Sequence, residues 1–360
     1  MMLTEHQRLP TSGARGVAFY TLGSVSYLAI PQLARDIPGT PPHMNGGDSD
    51  VEAQIYRWDG GRFVKDDELP LSGGEDIEYF TMDNTAYLAT AGVRAGHGPY
   101  EYNVDQKIYR RVGDDWVAFQ SIPAFAAKQW RFFSMGNRRF LALAQGLALP
   151  HIEASNPRTS CVFEWNGSRF APFTTLEGLW GYNWEAFELQ GRQFLGYADH
   201  VGRSTLYEWQ GASFTPAQQF ADNGGRCFRY LEAAGSALLA FANIRGESKL
   251  YLWDGASFRY HQVLSGPGGR EFSVIREGAQ VYLVQVNFIE GDPSAPRTDL
   301  KSRIYAWNNR QMELVEEFPT FGGTDAAAFR LDGSWWLAIS NSLSREVRFR
   351  TDTVIYRMSI

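Results

Sequence analysis

The chain is poor in the residues that build metal centres and covalent scaffolds: two cysteines and six histidines in 360 residues. Two cysteines exclude a disulfide-built domain, so any core must come from packing. Cys161 and Cys227 fall at different points of the repeat described below, which predicts reduced, buried thiols. Long apolar runs are missing too. None approaches the roughly twenty residues that span a bilayer, so no membrane insertion is expected. The start, Met1-Met2-Leu3-Thr4-Glu5-His6, lacks the apolar core of a secretion signal, and a cytoplasmic location is the expectation. Basic charge is scarce: 34 Lys and Arg against 40 Asp and Glu leave a formal charge of -6. That balance disfavours nucleic acid as a partner, because phosphate binding needs a basic field. Local catalytic motifs are also absent. There is no phosphate loop, no Gly-x-Ser-x-Gly elbow, no His-Glu-x-x-His and no Cys-x-x-Cys.

Aromatics and glycine are plentiful, at 14% and 36 residues. They are organised by a recurring signature, apolar–aromatic–any–Trp. It reads Ile55-Tyr56-Arg57-Trp58, Ile108-Tyr109-Arg110-Arg111, Val162-Phe163-Glu164-Trp165, Leu206-Tyr207-Glu208-Trp209, Leu250-Tyr251-Leu252-Trp253, Ile304-Tyr305-Ala306-Trp307 and Ile355-Tyr356-Arg357-Met358. The aromatics lie 53, 54, 44, 44, 54 and 51 residues apart. Units of that size cannot bury a core alone, so seven copies mean a closed or stacked array. Before each signature stands a continuous apolar run such as Tyr27-Leu28-Ala29 or Leu238-Leu239-Ala240, which reads as a strand buried on both faces. Tight-turn pairs such as Gln190-Gly191 and Asp254-Gly255 flank these runs. The grammar gives four antiparallel strands per unit, named A to D outward from the axis. The expected fold is an all-β, seven-bladed propeller occupying residues 1–360 as one domain. The seventh unit ends after its third strand, and Leu3-Thr4-Glu5-His6-Gln7-Arg8-Leu9-Pro10 resembles the D strand Val64-Lys65-Asp66-Asp67-Glu68-Leu69-Pro70. The N-terminal segment is therefore predicted to complete the last blade and close the ring.

The residues that carry the repeat resemble a known family. Ser160, Ser204, Ser248 and Ser302 stand shortly before the signature, and Leu239-Ala240-Phe241-Ala242-Asn243 ends a B strand. With the aromatic inner strand, this pattern resembles the EPTP, or epitempin, repeat of the propeller in leucine-rich glioma-inactivated proteins. The resemblance covers nearly the whole chain. It implies a seven-bladed propeller that recognises protein partners and performs no chemistry.

Function is expected on one face. The A–B and C–D turns are short, whereas the B–C loops, roughly 32–52, 92–105, 145–159 and 288–301, are long and unequal. Unequal loops gathered on one face are where a propeller binds a protein, a glycan or a small molecule. Four histidines fall in these loops: His43, His97, His151 and His200. His97, His151 and His200, with Asp76 and Asp325 from the inner strands, are candidate ligands for a divalent Ca, Zn or Fe ion. Their spacing is only the blade period, and exposed loops hold ordinary histidines as well. Aligned inner strands put Glu78, Arg131, Glu185 and Arg229 at one channel-facing position. These charges read either as structural ion pairs or as ligand contacts. The segment Leu176-Glu177-Gly178-Leu179-Trp180-Gly181-Tyr182-Asn183 replaces the Gly-Gly pair found at other blade links, placing Trp180 and Tyr182 near the channel mouth. Together with His43 and Tyr100 they complete the ligand-binding candidates. The alternative reading is a propeller enzyme assembled from His97, His151, His200, Glu185 and Arg131.

Overall fold

The apolar runs and tight turns of each unit fold as expected, into seven four-stranded antiparallel sheets. The computed structural model describes residues 1–360. Blade 1 comprises strands Ala18–Leu22, Val25–Ile30, Glu52–Trp58 and Phe63–Pro70. In blades 2 to 6 the inner A strands are Gly74–Met82, Gln129–Met135, Gly181–Leu189, Gly225–Ala233 and Gly269–Glu277. Blade 7 contributes Gly323–Leu331, Ser334–Asn341 and Thr353–Ser359, and its outer strand is Met2–Leu9. Met2 pairs with Ser359 and Leu9 with Thr353, so the N-terminal segment closes the ring. The one helical element is a 3-10 turn at Glu153–Ser155 in a B–C loop.

The recurring signature sits on strand C, and the C–D register shifts at its aromatic in blade after blade: Ile55/Tyr56, Ile108/Tyr109, Val162/Phe163, Leu206/Tyr207, Leu250/Tyr251 and Ile304/Tyr305. Such a bulge sharpens the twist of the outer strands, which lets wedge-shaped blades pack around an axis. Neighbouring blades meet through buried aliphatic and aromatic side chains. One such cluster joins Cys227 and Leu250 of blade 5 to Phe272, Leu283 and Tyr305 of blade 6. The signature serines are buried structural caps. The hydroxyls of Ser204 and Ser248 accept the backbone N–H groups of Asp199 and Asn243, at 3.1 Å each. Cys227 is buried and Cys161 only partly so; both are free thiols.

Candidate functional site

The entry of each inner strand determines what faces the axis. In five blades the A–B register skips one residue there, between Gly74 and Asp76, Gly181 and Asn183, Gly225 and Cys227, Gly269 and Glu271, and Gly323 and Asp325. The skipped residues are Glu75, Tyr182, Arg226, Arg270 and Thr324. A bulged residue leaves the ladder and its side chain is re-aimed. Glycine just before it is required by close approach: a Cβ on Gly225 would stand 2.5 Å from the Ser204 hydroxyl. In blades 1 and 3, Arg15 and Lys128 occupy the equivalent place just before strand A. All seven side chains line the upper end of the central channel.

This upper ring is strongly cationic. Arg15, Lys128, Arg226 and Arg270 surround one carboxylate, Glu75. Arg270 pairs with Glu75 at 3.2 Å and Arg15 lies 4.0 Å from it. Arg226 makes no ion pair; its guanidinium stands over the Tyr182 ring, 3.8 Å from the centroid. Lys128 donates only a long bond of 3.4 Å to the Ala126 carbonyl. Arg15, Lys128 and Arg226 are 7%, 5% and 7% exposed. Burial, and then repulsion from Arg270, Arg15 and Arg226, brings the Lys128 ammonium down to about 7 despite Glu75. Burial likewise lowers Arg226, to about 10, with Arg270 and Arg245 adding to the effect. Burial alone would raise Glu75, but the four cations outweigh it and hold this carboxyl below the usual range.

Deeper in the channel the charges are matched. Arg131 lies 3.7 Å from Glu78; Arg229 bridges Glu185 at 3.1 Å and Glu271 at 3.3 Å. Arg131 does not bond Glu185 and instead donates to the Trp184 carbonyl at 3.2 Å. Burial opposes the charge on Arg229, yet Glu185, Cys227 and Glu271 outweigh it and push the guanidinium up. Asp76 accepts the Trp130 N–H, and Asp325 accepts those of Val17 and Ala326. Burial, and then the nearby carboxylates Glu78 and Glu271 respectively, push both aspartates up.

Above the ring the B–C loops and blade links enclose a cavity of about 610 Å³. Its walls are largely apolar, with Leu33, Met44, Leu147, Trp180, Phe288 and Ile289 among them, and its floor includes Arg15, Lys128, Tyr182 and Arg226. The apolar residues belong to a cluster that ties the loops of several blades together. The Trp180 link is anchored from the next loop: the Asp199 carboxylate accepts the N–H groups of Leu179 and Trp180, at 2.7 and 3.0 Å. The same carboxylate accepts those of Val201 and Gly202.

The four loop histidines do not converge. His43, His97 and His151 are exposed on loops of three different blades. His43 only accepts the Asn45 N–H, at 3.1 Å. His200 is buried beside Trp180, ring centroids 4.8 Å apart, and lines the cavity. Burial, then Arg226, Arg245 and Arg270, push its pKa far below neutrality, so it is an uncharged imidazole. No three His, Cys, Asp or Glu side chains are grouped so as to hold a metal ion. Tyr100 clamps loops together, donating to the Gly47 carbonyl at 2.7 Å while its ring carries the Arg94 guanidinium at 3.8 Å. Sequence reasoning missed Arg15, Glu75, Lys128, Arg226 and Arg270 altogether. Their signal was a charged residue at or just after the blade link, visible in Gly74-Glu75, Gly225-Arg226 and Gly269-Arg270.

Comparison with known proteins agrees with this architecture. Residues 2–59 and 169–210 match the EPTP domain. A human thrombospondin-type laminin G domain and EAR repeat-containing protein is 28% identical over 127 residues, 34% of this chain and 17% of that protein. Its mouse counterpart is 25% identical over 162 residues, 44% of this chain and 23% of that protein. The matches thus span about a fifth of these relatives' length. A crystal structure of BBS1N in complex with ARL6DN superposes with a TM-score of 0.61 over 99% of this chain and 97% of that one. At 12% identity, that likeness shows the fold alone. Seven four-stranded blades built on one Tyr-x-Trp repeat make this chain a seven-bladed β-propeller, and residues 2–59 and 169–210 of it are similar to the EPTP domain.

Proposed function

We propose that the chain is a recognition module that engages a protein partner through the face bearing the long B–C loops. The observation that carries this reading is the cavity of about 610 Å³ on that face, walled by apolar side chains from several blades. Concave apolar sites with a few convergent polar groups are where ligands and anchoring side chains bind. Trp180 and Tyr182 are the proposed contact residues from the inner rim. Glu78, Arg131, Glu185 and Arg229 are assigned to holding the channel walls together, because their charges are paired with one another or with Glu271. No helix is long and apolar enough to cross a membrane. The free thiols Cys161 and Cys227 support a reducing compartment as the place of action.

Site-specific photo-crosslinking in the source cell tests the reading. A photoreactive residue at Asn45 or Pro293, on the cavity rim, is expected to capture a discrete protein, and the same residue at Asp83, in an A–B turn, is not. Capture from Asp83 alone, or equally from both faces, would overturn the assignment.

A further inference from the structure

The upper ring and the cavity above it together describe a ligand more narrowly than the face alone does. We propose that the channel mouth is a receptor for a small organic anion, an oxyanion head seated among Arg15, Lys128 and Arg226 with an apolar body against the walls above. The inference stands on the buried charges and is independent of whether the same face binds a protein.

The argument starts from compensation. Placing a cation in a protein interior costs several kcal/mol unless a partner answers it. Every arginine deeper in the channel has a carboxylate partner, so this fold is able to supply one. The mouth is different. Glu75 is engaged by Arg270, with Arg15 at the edge of reach. Arg226 and Lys128 have no ion pair. Nε and Nη1 of Arg226 and Nε of Arg15 are buried with no hydrogen-bond partner at all. The carboxylates below do not reach upward: Glu271 is held by Arg229 and the Phe272 N–H, Asp76 by the Trp130 N–H, Asp325 by those of Val17 and Ala326. Unanswered guanidinium donors beside an unpaired ammonium are suited to an oxyanion such as a carboxylate or a phosphate.

The cavity supplies the rest of the description. A volume of about 610 Å³ lies in the range that encloses a small molecule. An inorganic anion would satisfy the floor and leave the apolar walls against water. A purely apolar ligand would bury the cations further. A molecule with an anionic end and an apolar body answers both surfaces.

Isothermal titration calorimetry with three probes of defined chemistry tests the proposal: 4-phenylbutyrate, phenyl phosphate and the neutral 4-phenylbutanamide. At least one anionic probe is expected to bind with one-to-one stoichiometry, the tighter of the two identifying the head group, and the amide at least about tenfold more weakly. Arg226→Met and Lys128→Met are each expected to weaken the anionic probe by about tenfold or more, while Arg259→Ala, an exposed charge change, leaves it unaltered. A thermal melt establishes that each variant is folded. Absence of binding by either anion up to about 10 mM, binding of the amide as tight as the acids, or binding insensitive to both mouth variants overturns the proposal.

Discussion

The guanidinium of Arg226 stands 3.8 Å from the centroid of the Tyr182 ring and makes no ion pair, the nearby Glu75 being engaged by Arg270. Tyr182 belongs to the blade link that departs from the Gly-Gly rule, and Arg270 stacks on the same ring at 4.6 Å. One tyrosine ring thus shields the buried Arg226 and the half-buried Arg270. The quadrupole of a phenol ring compensates a desolvated guanidinium by only about 2 kcal/mol, less than burial removes. The pairing therefore explains how the free protein tolerates Arg226 without accounting for why it is kept.

A double-mutant cycle measures that relationship. Tyr182→Leu alone is expected to destabilise the fold by about 2 kcal/mol, because it uncovers Arg226 and Arg270 together. Arg226→Met alone is expected to be neutral or stabilising. In the Tyr182→Leu background it recovers stability, giving a coupling energy of about 1–2 kcal/mol by urea denaturation. Strict additivity of the two changes would show that the ring contributes packing only.

Lys128 gives a second, pH-resolved expectation. Its ammonium is buried among Glu75, Arg15, Arg226 and Arg270, and burial with that repulsion brings it from 10.5 to about 7. The unfolded chain keeps this proton up to about pH 10, so between pH 7 and 10.5 the unfolded state binds more protons and stability rises with pH. Below pH 7 both states carry the charge and the folded state bears the full penalty. Lys128→Met should therefore stabilise by roughly 1–3 kcal/mol at pH 6, with the gain shrinking toward pH 10. Guanidinium denaturation midpoints at the two pH values check this. A variant less stable than the parent at pH 6 would show that Lys128 contributes structurally at the mouth.

The sequence made the architecture legible because the signature lies on strand C, where every blade needs the same aromatic at the bulge and the same buried aliphatic before it. Ring closure was legible for a similar reason, since Leu9 fills the place that Leu69 fills in blade 1. The channel-facing positions Asp76, Glu78, Arg131, Glu185 and Arg229 followed from simple alternation along strand A. The same counting failed one residue earlier. The bulge after Gly74, Gly225 and Gly269 resets the alternation, so counting along the strand does not place Glu75, Arg226 and Arg270 on the channel. Loop residues were harder still. His97 and Trp180 look alike as loop positions, and only the Asp199 carboxylate gripping the Leu179–Trp180 backbone separates a positioned side chain from an exposed one.

That grip supplies a third prediction. The two oxygens of Asp199 accept four backbone N–H groups, and Oδ2 also accepts the Tyr197 hydroxyl at 3.2 Å. Asp199→Ala leaves those donors unpaired in a buried site and frees the Trp180 link. A loss of about 3 kcal/mol is expected, with red-shifted Trp180 fluorescence as it becomes hydrated. Asp199→Asn keeps an acceptor at one oxygen only and should fall between the two. Equal stability of Asp199→Ala and the parent would mean that water satisfies the link as well as the carboxylate does.

The last prediction concerns the ring itself. Strand Met2–Leu9 supplies the outer edge of blade 7 and also reaches into blade 1: Gln7 both donates to the Phe63 carbonyl at 2.7 Å and accepts its N–H at 2.8 Å. Tyr56 donates to the Pro10 carbonyl at 3.0 Å, and Thr11 to that of Thr351 at 2.8 Å. Deleting residues 1–12 therefore removes one strand and unties the seam between the first and last blades. Strand Thr353–Ser359 becomes a free edge, a template for pairing with other molecules. The truncated protein is expected to melt about 10 °C or more below the parent and to form larger species by light scattering. A synthetic peptide of residues 1–12, added in excess, should raise the melting temperature by filling the vacant edge in trans. An unchanged melting temperature after truncation would show that the other blades hold the ring shut without this strand.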